Sequence, residues 1–192
     1  MRSDTDTPAL PEAALLGRAL RRWRLLNRVK QAALAEDLGL SQSGLSRWEA
    51  GRLTPGSRAL GLARALLSAR PASASDRALL GLVRGAAEPV HLVCDLTHRL
   101  LAASPARVAD WRVSEADLRG RSLWRFASPE IVACEAGLAE RGWYAPLAEE
   151  FTLVTGRVEH PEMLIREGEI RYTRLALSDG SFARLARDGA RP

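Results

Sequence analysis

The sequence contains no apolar run approaching the ~18 residues needed to span a bilayer, so no membrane-spanning helix is expected. Cysteine is scarce. Cys94 and Cys134 are too few for a disulfide framework and read as reduced thiols packed as small hydrophobes. Lysine occurs once, at Lys30, and aromatic residues make up only 5% of the chain. The opening MRSDTDTPAL carries two aspartates and no apolar segment, which argues against a secretory signal and for residues 1–10 as a loose polar start. What is present fits a folded soluble protein: 192 residues, 46% hydrophobic and 27% charged, with room for one medium domain or two small ones. A cytoplasmic location is the expectation.

Charge is unevenly spread. The net is +5, yet residues 1–70 hold 12 basic and 6 acidic side chains, whereas residues 71–192 hold 16 basic and 17 acidic. All the excess positive charge therefore lies in the first third. A basic module joined to a near-neutral one is the pattern of a polyanion-binding head on a body with another task.

Between Pro11 and about Asn27, the residues Leu16, Ala19, Leu20, Trp23 and Leu26 recur at three- and four-residue spacings, which predicts a helix. Shorter helices are predicted at about 31–37, 42–50 and 58–69, punctuated by Gly39, Gly51 and Pro55. Arg70-Pro-Ala-Ser-Ala-Ser75 reads as a hinge, and Asp76 opens one more short helix to about Arg84. Beyond Pro89 the pattern changes. Residues 90–95 and 99–103 read as strands joined by a turn at Asp95-Leu-Thr-His98, residues 105–140 have helical spacing, and strands are predicted at about 147–156, 162–167, 169–178 and 181–187. Asp179-Gly180 is a strong hairpin signal. The fold class is thus an all-α head of four to five helices over 11–70, a linker with a short helix over 71–88, and an α+β body with an antiparallel sheet over 89–190.

Residues 31–52, QAALAEDLGLSQSGLSRWEAGR, are the most specific segment. Leu34, Ala35 and Leu38 line one face of a short helix, Gly39 permits a positive φ at the turn, and Ser41 is placed to cap a second helix. Leu45 and Trp48 point inward, leaving Gln42, Ser43, Ser46 and Arg47 outward. Glutamine, serine and arginine on one face supply the donors and acceptors that read base edges in a major groove; the same side chains also decorate solvated helices.

This combination resembles the helix-turn-helix of phage repressor and Cro-type (XRE) regulators, over about residues 13–69. The resemblance implies double-stranded DNA as partner, with Ser41, Gln42, Ser43 and Arg47 at base-contacting positions and Ser46 on the same face. It implies that Gln31, opening the first motif helix, binds phosphate, and that Arg52 meets phosphate after the recognition helix. Arg24 and Glu49 match a buried ion pair that joins the first helix to the recognition helix in several relatives. Lys30 occupies the usual Ser/Thr cap position and exchanges capping for a phosphate contact; Arg22 is a further phosphate candidate, with Arg18, Arg21, Arg28 and Arg58 beside it. Gly44 departs from good helix-forming sequence at a cost of about 1 kcal/mol relative to alanine.

In the body, residues 91–126 run strand, acidic turn, strand, a small residue before a helix, then Asp117-Leu-Arg-Gly120-Arg-Ser-Leu-Trp124. This resembles the opening half of a PAS domain, and Arg171-Tyr-Thr-Arg-Leu-Ala-Leu-Ser-Asp-Gly180 resembles its closing strands. Two features depart from that pattern: Ser104 stands where relatives often carry Asn, and helical spacing through 128–146 is long. The resemblance implies a unit for dimerisation or sensing and leaves a small-molecule or protein ligand open. Cys94 and Cys134 lack the polar motif of a flavin-thiol photoreceptor, and His91, His98 and His160 have no second ligand at helix or hairpin spacing, so no cofactor and no metal are expected. Glu135, Glu140, Glu149, Glu150 and Glu159 are scattered acids with no partnered histidine, expected to face solvent. No catalytic residue is nominated, and an enzyme is not expected.

These readings converge on a cytoplasmic, nucleoid-associated regulator of transcription: a homodimer, held through its C-terminal region, that represses from a pseudo-palindromic operator. Two alternatives stay open. One is a regulator whose PAS-like unit senses a ligand; the other is an adaptor or activator that contacts RNA polymerase.

Overall fold

The computed structural model describes residues 11–145 and 150–189. The polar start 1–10, Glu149 and the first residues of the strand expected from 147 lie outside these. Among the described residues, 11–70 form one compact unit and those from Pro71 onward another.

The first unit is all helical: α1 (Glu12–Leu26), α2 (Gln31–Asp37), α3 (Gln42–Glu49) and α4 (Ser57–Leu67). α1 packs against α3 and α4, and α2 against α3. The stripe read from the sequence faces inward, since Leu16, Ala19 and Leu20 are buried beside Leu34, Leu45, Trp48, Ala63 and Leu67. Burial of each such leucine contributes roughly 1.5–3 kcal/mol. At the start of α1, Arg64 of α4 donates to both oxygens of Glu12, at 2.8 and 3.0 Å.

In the second unit, α5 (Ala74–Gly85) leads into β1 (Val90–Cys94) and β2 (Leu100–Ala103). A helical middle follows, with α6 (Pro105–Val108), α7 (Glu115–Leu118), a 3-10 turn at Leu123–Phe126 and α8 (Pro129–Gly137). Then come β3 (Phe151–Thr155), β4 (Val158–Glu159), β5 (Leu164–Ile165), β6 (Gly168–Ala176) and β7 (Phe182–Asp188). The helical spacing over 105–140 is realised as a series of short pieces, and within 128–146 α8 is the one helix among the described residues. Ser104, Ser114, Ser122 and Ser128 each cap a new start, accepting a backbone N–H two or three residues on, and Pro105 and Pro129 fix the first turns of α6 and α8.

Five strands form one antiparallel sheet in the order β2-β1-β7-β6-β3, and β4 and β5 pair separately. Asp179-Gly180 turns the β6–β7 hairpin, as its dipeptide predicts, with Gly180 at φ 78°. On one face of the sheet, Val93, Leu100 and Ala103 pack with Trp111, Leu118, Phe126 and Met163. Further along, Tyr172, Ala186 and Leu153 pack with Leu138 and Trp143. Alternation sends Leu92 and Ala102 to the opposite face, where both are fully buried. α5, which the sequence assigns to the linker, packs against β1 and β2. It is tied at both ends. The Asp76 carboxylate completes the capping box with Ser73 and also accepts from the backbone N–H and hydroxyl of Ser178 in the β6–β7 turn. Arg84 reaches the Leu101 carbonyl at 3.2 Å.

Candidate nucleic-acid interface

The turn between α2 and α3 is made by Gly39, at φ 67°, where a side chain would be strained. Ser41 then caps α3, its hydroxyl accepting from the Gly44 N–H at 3.0 Å and lying 3.1 Å from the Ser43 hydroxyl. Leu45 and Trp48 are fully buried, and Gln42, Ser43 and Arg47 are exposed together, with Ser46 half-buried beside them. Ser41 thus has one oxygen in structural use while its residue remains exposed. Lys30 and Arg52 are exposed at the ends of the motif, and Arg22 is half-buried on α1.

The recognition helix is fixed from beneath by two contacts with α1. Arg24 forks onto Glu49, Nε to Oε1 at 2.8 Å and Nη2 to Oε2 at 2.9 Å, with the side chains 14% and 4% exposed. The hydrogen bonds to Glu49 come first among the causes that raise the Arg24 pKa against the opposing effect of burial. Gln31 joins them, its amide donating to Glu49 Oε2 at 2.9 Å. One carboxylate therefore gathers α1, α2 and α3, and the Gln31 amide is oriented by it. The second contact escaped the sequence reading. Trp48 donates from Nε1 to the Ala13 carbonyl at 2.7 Å, and the α3 backbone at Trp48 lies directly against Gly17. A glycine in an α1 pattern carries no signal of such an approach.

In the second unit, burial overturns the solvent-facing expectation for Glu135, although Glu140, Glu150 and Glu159 are exposed as expected. Arg184 is the cause. It donates from Nη1 to Glu135 Oε2 at 2.7 Å and from Nε and Nη2 to Asp95 Oδ1 at 2.9 and 2.8 Å. Asp95, fully buried, also accepts from Trp143 Nε1 at 3.0 Å and from Arg174 Nε at 2.9 Å. Arg174 and Arg184 stand directly opposite across β6 and β7, so the two carboxylates relieve a like-charge cross-strand pair. Burial opposes ionisation of Glu135, but Arg184 and then His98 outweigh it and hold its carboxyl below the ordinary range. His98 Nε2 lies 3.4 Å from Glu135 Oε2.

Cys94 and Cys134 are both buried reduced thiols, and burial, the largest cause, pushes the Cys134 thiol up to about 11. Among the described residues no group of three or more His, Cys, Asp or Glu gathers as a metal site would, and no helix is long and apolar enough to cross a membrane.

Comparison with known proteins agrees with this geometry in the head. The helix-turn-helix family model matches residues 20–67, which contain α2, the turn and α3 whole. The first unit is a helix-turn-helix domain, and the segment resembling phage repressor and Cro-type regulators falls inside it. No curated protein matches the chain. Solved structures similar to it include the PAS domain of an HTR-like protein from Haloarcula marismortui, at 18% identity and TM-score 0.42, covering 60% of this chain and 92% of that one. The PAS domain of Bordetella pertussis BvgS is similar at 14% identity and TM-score 0.35, covering 60% of this chain and 85% of that one. An RNA-binding light-oxygen-voltage receptor is similar at 13% identity and TM-score 0.43, covering 93% of this chain and 59% of that one. The second unit, with its five-stranded antiparallel sheet and short helices between β2 and β3, is an α+β domain.

Proposed function

We propose that the chain is a sequence-specific DNA-binding regulator of transcription, acting as a homodimer that represses from a pseudo-palindromic operator. The observation that carries this reading is the α3 surface. Gln42, Ser43 and Arg47 stand exposed on a helix whose other side is buried through Leu45 and Trp48 and tied to α1 through Glu49. In this reading α3 enters the major groove, Arg47 and Gln42 reach base edges, and Lys30, Gln31, Arg22 and Arg52 hold phosphates. One such helix covers too few base pairs for tight specificity, whereas two copies spaced by a turn of B-DNA, about 34 Å, cover enough.

The test is genome-wide mapping of binding sites, followed by titration of the recovered site across salt concentrations. A symmetric motif and a log–log slope of roughly −0.9 per neutralised phosphate are expected. A scrambled duplex bound as tightly as the recovered site would overturn the reading.

A second reading is favoured by the second unit. A cavity of about 100 Å³ opens between the sheet and the helical middle, lined by aliphatic side chains together with Trp111, Trp124, Phe126 and Tyr172. In this reading the unit senses a small molecule and passes its presence to DNA binding.

A further inference from the structure

The two edges of the five-stranded sheet are finished differently. At β2 the edge is closed by residues 119–122, with the Leu100 N–H donating to the Arg121 carbonyl at 3.0 Å and the Gly120 N–H to the Leu100 carbonyl at 2.9 Å. At the other edge β3 pairs with β6, and no further backbone bridges to it among the described residues. Edge strands that stay single are guarded by charge, proline or a bulge. β3 has none of these. It reads Phe-Thr-Leu-Val-Thr, and all five residues pair with β6 in unbroken register. Val154 stands 70% exposed on it, and Thr152 is exposed on the same face.

The charges behind this edge select what pairs with it. Residues opposite one another in a sheet share a face, so Val154 lies in one row with Glu169, and Thr152 in the next row with Arg171 and Arg187. A second copy joining antiparallel about a twofold axis can centre on any of the three middle residues of β3 and keep these rows on one face. Centring on Val154 runs the Glu169 row into its own twin. Centring on Thr152 does the same with the Arg171 and Arg187 row. Both align like charges. Centring on Leu153 sets Thr152 opposite Val154 of the second copy, so the arginine row runs on into the Glu169 row, twice by symmetry. Of the three, this register alone joins opposite charges. At three strand spacings, about 14 Å between Cα atoms, such rows choose the register more than they add affinity. The affinity comes from the new ladder of backbone hydrogen bonds and from covering Val154.

We propose that β3 is the dimer contact of this chain: two copies pair edge to edge and antiparallel, centred on Leu153, into one continuous sheet. The proposal rests on the homodimer reading above and names the surface that carries it.

The test is sedimentation equilibrium of the full chain from about 1 to 100 μM, a span that brackets micromolar dissociation constants. The parent is expected to dimerise. Val154→Lys sets on the edge the charge that guards single strands, and is expected to raise the dissociation constant at least tenfold with an unchanged thermal midpoint. Leu82→Lys, which alters the most exposed large apolar residue of the second unit, is expected to dimerise as the parent does. Cysteine variants read the register independently of Val154→Lys, since Cys94 and Cys134 are buried. Under mild oxidation, a mixture of Thr152→Cys and Val154→Cys is expected to cross-link at least threefold faster than either variant alone. A dimer that survives Val154→Lys, or either cysteine variant cross-linking alone as fast as the mixture, overturns the edge pairing and leaves the homodimer standing. A parent that stays monomeric throughout, the outcome if this edge receives a strand of another protein, overturns the pairing and the homodimer together. DNA binding is decided separately by the operator titration.

Discussion

Gly17 and Trp48 approach so closely that a methyl group cannot stand between them: a Cβ built on Gly17 would lie 2.3 Å from the Trp48 carbonyl oxygen and 2.8 Å from its ring. The obstacle is chiefly backbone, so no rotamer change relieves it. Gly17→Ala is therefore expected to push α3 away from α1 despite alanine's better helix propensity. Overpacking of this kind costs typically 1–3 kcal/mol. Denaturant unfolding should register that loss, and affinity for the recovered site should fall more than affinity for random DNA. A variant as stable as the parent would refute the close approach.

Arg24→Ala leaves Glu49 buried without its guanidinium partner. The expected cost is about 3 kcal/mol, the lower end for breaking a buried pair, because Arg24 retains some exposure. Arg24→Lys restores charge but not the two-pronged geometry, and is expected to recover part of the loss. Chemical denaturation of the three proteins checks the order.

On DNA, Arg47→Ala and Arg52→Ala should differ in kind. Loss of a base contact relaxes discrimination at one position by about 1–3 kcal/mol, whereas loss of a phosphate contact weakens all sequences alike and flattens the salt slope by about 0.9. Binding curves on single-base operator variants distinguish the two outcomes.

The second unit should be acid-sensitive in two stages. His91 is held neutral in the fold by burial. Between its unfolded pKa near 6.5 and its folded value of about 3, the unfolded chain binds the extra proton, so stability falls as pH falls, by at most about 1.4 kcal/mol per unit. Glu135 acts in the same direction at lower pH. Its depressed folded pKa stabilises the fold above about pH 4.5, and that contribution is lost as acidification proceeds. Thermal melts from pH 7 to pH 4 should show His91→Phe with a shallower decline than the parent. Glu135→Gln should differ from the parent most at pH 7 and least at pH 4.

The head was legible in the sequence because its signals are local. Ser41, Leu45 and Trp48 lie within eight residues, and cap, inward pair and polar face can be read from one helical period. Strand pairing at Asp179-Gly180 was equally local. Asp95 and Arg184 are 89 residues apart, and no periodicity relates a turn residue after β1 to a charged position inside β7. An arginine in a strand reads as solvent-facing until the sheet order sets β7 beside β1. The short helices of the middle section carried their own signal in four capping serines, but helical spacing of Trp111, Leu118, Trp124 and Ile131 ran across the breaks and masked it. Gly17 was silent for the opposite reason, since a glycine's purpose is visible only in what it touches.

Asp76 serves two masters, starting its own helix and grasping the distant hairpin through Ser178. Any shortened protein meant to isolate the sheet must consequently begin upstream of Ser73. A cut placed after Gly85, where the strands themselves start, would strip the cover from Leu92 and Ala102 and yield an insoluble fragment rather than an independent module.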